Sequence, residues 1–106
     1  MIRQGDVMVV RVDALPPNCK PVAPTRGRVV LAHGEVTGHH HSFALSDRVA
    51  LFREDGSGGG LFLTVSSDAP AVLEHQEHAP LSVPPGTYQV IRQRVWSAGM
   101  ARRVED

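Results

Sequence analysis

Apolar and polar residues alternate along this chain in short runs, and the runs are separated by glycine and proline. "DVMVVRV" (6–12), "GRVVLAHGEV" (27–36), "HHHSFAL" (39–45), "RVALFRE" (48–54) and "LFLTVSS" (61–67) are rich in β-branched and aliphatic residues. Side chains on a strand alternate between faces, so this pattern predicts half-buried strands. Shorter strands are expected at 70–75 and 81–83, a long one at 86–97 and a closing one at 100–105. Ser46–Asp47 between two apolar runs predicts a tight hairpin joining 39–45 to 48–54. The segment 15–24 holds four prolines and predicts a loop, because proline removes a ladder donor. "DGSGGG" (55–60) reads as a flexible hairpin connector. No stretch sustains helical spacing. The expected fold is all-β, a small antiparallel barrel or sandwich formed as one domain over 1–106.

Strand parity gives the histidines a direction. In 39–45, His39, His41, Phe43 and Leu45 share one face, and His40, Ser42 and Ala44 share the other. Phe43 and Leu45 mark the core side, so His39 and His41 continue an inward row while His40 points out. A second pair, His75 and His78, lies in "LEHQEHAPL" (73–81). These two meet only if the chain turns after His75, and Pro80 fits a strand ending there. His39, His41, His75 and His78 are therefore candidate metal ligands. Imidazole suits a divalent transition ion, with Zn placed first and Fe, Ni, Mn and Cu left open. Ligating histidines commonly donate their second ring nitrogen to a carboxylate or carbonyl. Glu35, Glu74 and Glu77 are near enough in sequence to serve, and Glu77 is also the candidate catalytic base. Four histidines in two tight groups are set against a metal-free acid–base site and against ordinary polar packing. His33 reads as a strand-end residue. Ser42 and His41 face opposite sides, which disfavours a nucleophile–base pair. Gly5–Asp6 reads as a turn in which Asp6 bonds backbone amides.

"RQGDVMVV", "GEVTGHHH" and "EHQEHAPLSVPPGTYQVIRQRVW" resemble a group of short, largely uncharacterised bacterial and phage-borne proteins. Their pattern runs Gln-Gly-Asp-Val, Gly-His-x-His, His-Glu-Glu-His-x-Pro and Leu-Pro-x-Gly-x-Tyr-x-Val-x-x-Gln-Arg-Glu-Tyr. This chain has Gln76 in place of a glutamate, and Val95–Trp96 in place of Glu–Tyr. Losing the acid at 76 leaves Glu77 as the better acid–base candidate. The resemblance implies a shared site and names no activity. The His39-x-His41 pair and the "VPPGTY" turn are also similar to cupin motifs, which implies likeness of architecture only. No glutamate follows His41 within four residues, Gln89 stands where a cupin carries a later histidine, and His75 and His78 precede the turn.

Composition narrows the function classes. Eleven basic and eleven acidic residues cancel, which argues against a nucleic-acid binder driven by bulk charge. Arg92, Arg94, Arg102, Arg103 and Trp96 read as a solvated strand face rather than an RNA platform. The single cysteine, Cys19, excludes an intrachain disulfide and reads as an ordinary thiol. No apolar run reaches membrane-spanning length and no signal peptide is visible, so the cytoplasm is the expected location. Three functions remain: a domain with a structural or sensing ion, a small metal-dependent hydrolase or oxygenase, and a metal-free interaction or assembly module. A homo-oligomer and an unidentified small-molecule ligand are both compatible with the pattern.

Overall fold

The computed structural model describes residues 1–33, 38–56, 59–66, 68–97 and 100–103, the strands 94–97 and 100–103 as backbone. Twelve strands are formed by the described residues: β1 Ile2–Gln4, β2 Val7–Val12, β3 Cys19–Pro21, β4 Arg28–His33, β5 His40–Ala44, β6 Val49–Glu54, β7 Leu61–Val65, β8 Ala71–Leu73, β9 Leu81–Val83, β10 Gly86–Arg92, β11 Arg94–Ser97 and β12 Met100–Arg103. All pairings are antiparallel. The main sheet runs β1-β2-β10-β7-β6-β3, with β1 and β3 as its edges. No helix occurs among the described residues, so none is long and apolar enough to cross a membrane.

One face of the main sheet is apolar because the register aligns the alternating rows. Val9 stands opposite Val90, Tyr88 opposite Leu63, and Leu63 opposite Leu51. All five are buried. A second set of strands supplies the rest of the same core. Val29 of β4 faces Phe43 of β5, and Ala71 of β8 faces Val83 of β9. Ser42 and Glu74 link β5 to β8 through two backbone bonds, Ser42 N–H to Glu74 C=O at 3.0 Å and the reverse at 2.8 Å. Burying such apolar side chains stabilises the fold by about 1.5–3 kcal/mol each before entropy is counted.

Several sequence expectations change. The hairpin expected across Ser46–Asp47 does not form, because β5 pairs with β4, while β6 pairs with β7 and β3. The proline-rich segment contributes β3. It is an edge strand, where Pro21 interrupts no second ladder. Leu45 lies beyond the end of β5 and is exposed, so Phe43 alone marks that strand's core face. The long strand expected at 86–97 breaks at Gln93, whose N–H bonds the Asp6 carbonyl at 2.8 Å. β1, which the pattern did not suggest, forms a two-residue hairpin with β2 through Gly5–Asp6. Gly5 has φ of 58°, the left-handed value that the first position of a type II′ turn requires.

Candidate functional site

The turn at Gly5–Asp6 brings buried Asp6 and Gln4 together with buried His41. Asp6 and His41 have no exposed surface, and Gln4 has almost none. The Asp6 carboxylate accepts two bonds from Arg92 through Oδ2, from Nε at 3.0 Å and Nη2 at 2.8 Å. Its other oxygen, Oδ1, lies 3.3 Å from His41 Nε2. Among the described residues the Asp6 carboxylate meets side chains and not the backbone amides that its turn position suggested. The burial and the distant partner Arg92 have no local signature.

Gln4 places a hydrogen on Nδ1 of His41. Its amide nitrogen donates to the carbonyls of Leu73 and Ala79, each at 3.0 Å, so its oxygen is the acceptor towards His41. His41 Nδ1 lies 2.9 Å from that oxygen and must carry the hydrogen. In the neutral imidazole Nε2 is then a lone pair directed towards Asp6. A lone pair and a carboxylate oxygen at this distance attract only if a positive charge lies between them, either a proton or a metal ion.

The other candidate ligands gather round His41. Its ring centroid is 4.3 Å from that of His75 and 6.1 Å from that of His78. His75 and His78 are 4.7 Å apart, because the chain bends after His75, and His39 lies 5.6 Å from His75. His78 Nε2 and His39 Nδ1 are buried without a hydrogen-bond partner among the described residues. A Cβ on Gly5 would stand 2.8 Å from His78 Nε2, so only glycine lets the turn lie against that ring. His75 is held differently. Its Nδ1 accepts the Glu77 N–H at 3.0 Å, which uses the lone pair a neutral imidazole would offer an ion. Among the described residues, no three His, Cys, Asp or Glu side chains already stand in ligating geometry.

The supporting carboxylates separate. Glu77 is exposed, with an oxygen 3.8 Å from His39 Nδ1. Glu74 pairs with Arg28 at 2.6 Å instead of a histidine. Glu35 lies outside the described residues, as do the side chains of Arg94, Trp96, Arg102 and Arg103. Cys19 is half-buried, and burial together with Glu54 and Asp55 pushes its thiol up, which fits an unreactive group.

His40 belongs to the opposite face, as parity requires. The Ser42 hydroxyl lies 2.8 Å from His40 Nδ1 and accepts a bond from Arg28 Nε at 2.7 Å. Ser42 thus meets His40 and not His41. Burial, then the Arg28 guanidinium and the neighbouring imidazoles, push His40 below its usual value. Its folded form binds a proton less readily than the unfolded chain. The contribution of His40 to stability is therefore complete above about pH 6.5 and is lost as pH falls through its lowered folded value. Histidine NMR titration should give His40 a midpoint below 6.5, and Arg28→Met should raise it; a midpoint at or above the free value would contradict this arrangement.

Residues 3–93 match the model of one protein family, described as Domain of unknown function (DUF8820). No curated protein matches the chain, and no solved structure does.

Proposed function

We propose that this chain, which belongs to the DUF8820 family, binds one divalent transition ion between β5, the Gly5–Asp6 turn and the 75–78 bend. His39, His41 and His78 supply imidazoles, and Asp6 supplies a carboxylate oxygen that the histidine pattern did not suggest. The observation that carries this reading is the fixed tautomer of His41. Gln4 holds Nδ1–H and thereby directs the Nε2 lone pair at Asp6 Oδ1. Ligating histidines are oriented by such a bond to the second nitrogen. Buried His78 Nε2 and His39 Nδ1, without hydrogen-bond partners among the described residues, offer two further donors. His75 joins only if it releases the Glu77 amide. Zinc is the first choice for a set of imidazoles and one carboxylate, with Fe, Ni, Mn and Cu as alternatives. The barrel-like enclosure belongs to this proposal and goes no further than likeness of architecture.

Two other readings have observations in their favour. The first is metal-free: a proton takes the place of the ion, and His41 and Asp6 form a buried imidazolium–carboxylate pair at the core of an interaction module. The second is catalytic. A bound ion lowers the pKa of water to about 7. Glu77, exposed beside His39, would accept the released proton in a hydrolytic or oxygen-using enzyme.

Metal analysis of protein purified without an affinity tag tests these together. One ion per chain is expected. Protein that stays metal-free after dialysis against each of the five ions would leave the metal-free reading. Glu77→Gln should keep the ion if Glu77 is a base, and should weaken binding by about 10- to 100-fold if it orients His39.

A further inference from the structure

We propose that the outer face of the β4–β5 hairpin binds the phosphoryl group of a small molecule, with Arg28, Arg26 and His40 as its donors. Two adjoining clefts cover this face, of 270 Å³ and 470 Å³, and both are lined by Arg28 and His40. Together they have the size of a small-molecule site, which spans about 300–1,000 Å³. The larger cleft adds Arg26 and His33, with Val30 as an apolar wall, and none of its described lining residues is acidic. The smaller adds Gln76, His75 and Glu74. Glu74 is the one carboxylate among the described lining residues, and Arg28 pairs with it. Among those residues two guanidiniums face a single carboxylate.

The geometry of Arg28 suits an oxyanion. Its Nε bonds the Ser42 hydroxyl, and its Nη2 bonds Glu74 and the Ser42 carbonyl. These contacts fix the guanidinium plane. Its Nη1 makes no hydrogen bond among the described residues, so two N–H donors remain on a side chain that is part-exposed. A preorganised planar fork of this kind recognises phosphate oxygens better than a mobile ammonium does.

Arg26 supplies a second, independent observation. Thr25 and Arg28 bond each other across a two-residue turn, at 2.8 and 3.0 Å. Arg26 has φ of 50° and Gly27 has φ of 75°, the type I′ pattern. That turn favours Asn-Gly, and a long side chain at the first position is strained. Arg26 lines the larger cleft, and backbone strain of this kind concentrates at binding sites.

The proposal stands apart from the ion, so its test uses full-length protein in chelator. The probe is inorganic phosphate against chloride at matched ionic strength, followed by the Arg28 Nε–H and His40 resonances. A saturable shift with phosphate alone is expected. Arg26→Asn should weaken binding by about three- to tenfold while raising the melting temperature, because asparagine accepts the left-handed backbone. Arg28→Lys keeps the charge and the Glu74 pair but loses the fork, and should weaken binding by about tenfold or more. If Arg28→Lys fails to fold, Arg26→Asn decides alone. No saturable shift, an equal response to chloride, or wild-type affinity in every folded variant would overturn the proposal.

Discussion

Arg92→Met is expected to destabilise the protein by about 3 kcal/mol, more than any other single surface-reaching substitution considered above. Arg92 delivers two charged hydrogen bonds to Asp6 Oδ2. Asp6 has no exposed surface, so their loss leaves a buried carboxylate short of two bonds. Methionine retains the aliphatic packing of the arginine stem, which isolates the electrostatic loss. The cost falls at the low end of the range for stranding a buried charge, since His41 still faces the other carboxylate oxygen. Urea denaturation in chelator measures it. The double variant Arg92→Met/Asp6→Asn supplies the control. Asparagine is neutral, nearly isosteric, and can direct its amide hydrogen at His41 Nε2. The double variant should recover at least half of the loss. If it is no more stable than Arg92→Met alone, packing around residue 92 is responsible and the buried ion pair is not.

The strands were legible where the period-two pattern is strong. Val7 and Val9, or Tyr88 and Val90, alternate in the sequence as they do in the core. Which strands pair was less legible. Ser46–Asp47 carries the local signature of a hairpin, yet there the chain passes from β5, paired with β4, to β6 of the main sheet. A turn signal records that the chain reverses, and sheet membership is decided by non-local burial. The same limit applies to the site. His41 could be turned inward by parity and His75 brought near His78 by the bend before Pro80, while His39 precedes the start of β5, where parity gives no direction. Asp6 could not, because a Gly-Asp turn is ordinarily solvated, and nothing local shows that Arg92, 86 residues away, closes over it. Gln4 was hidden in the same way, since its role depends on carbonyls at 73 and 79. The bulge between Val30 and Ala32 is a further non-local feature. It shifts the β4–β5 register so that Ala32 stands opposite His41.

His41→Ala should reduce ion affinity by more than about 100-fold, since loss of a group that merely orients a ligand already costs about 10- to 100-fold. Three contacts make His41 the central donor. It is fully buried, its tautomer is fixed by Gln4, and its Nε2 faces the buried Asp6 carboxylate. The substitution also leaves Gln4 Oε1 and Asp6 without that neighbour, which lowers the stability of the fold as well. His78→Ala guards against this. His78 is only half-buried and its Nε2 makes no hydrogen bond among the described residues, so its removal should spare the fold while still weakening the ion by about tenfold or more. His40→Ala should leave affinity unchanged, because that ring turns away to Ser42 and Arg28. His75→Ala should cost less than His41→Ala, since its Nδ1 is already used by the Glu77 amide. Imidazoles must be neutral to ligate, so binding should weaken as pH falls below about 6. Competition titration with a chromogenic chelator, at pH 7.5 and again near pH 5.5, reads all of these on folded protein. Equal affinity in wild type, His41→Ala and His78→Ala would remove the metal site and leave His41 and Asp6 as a buried proton-sharing pair.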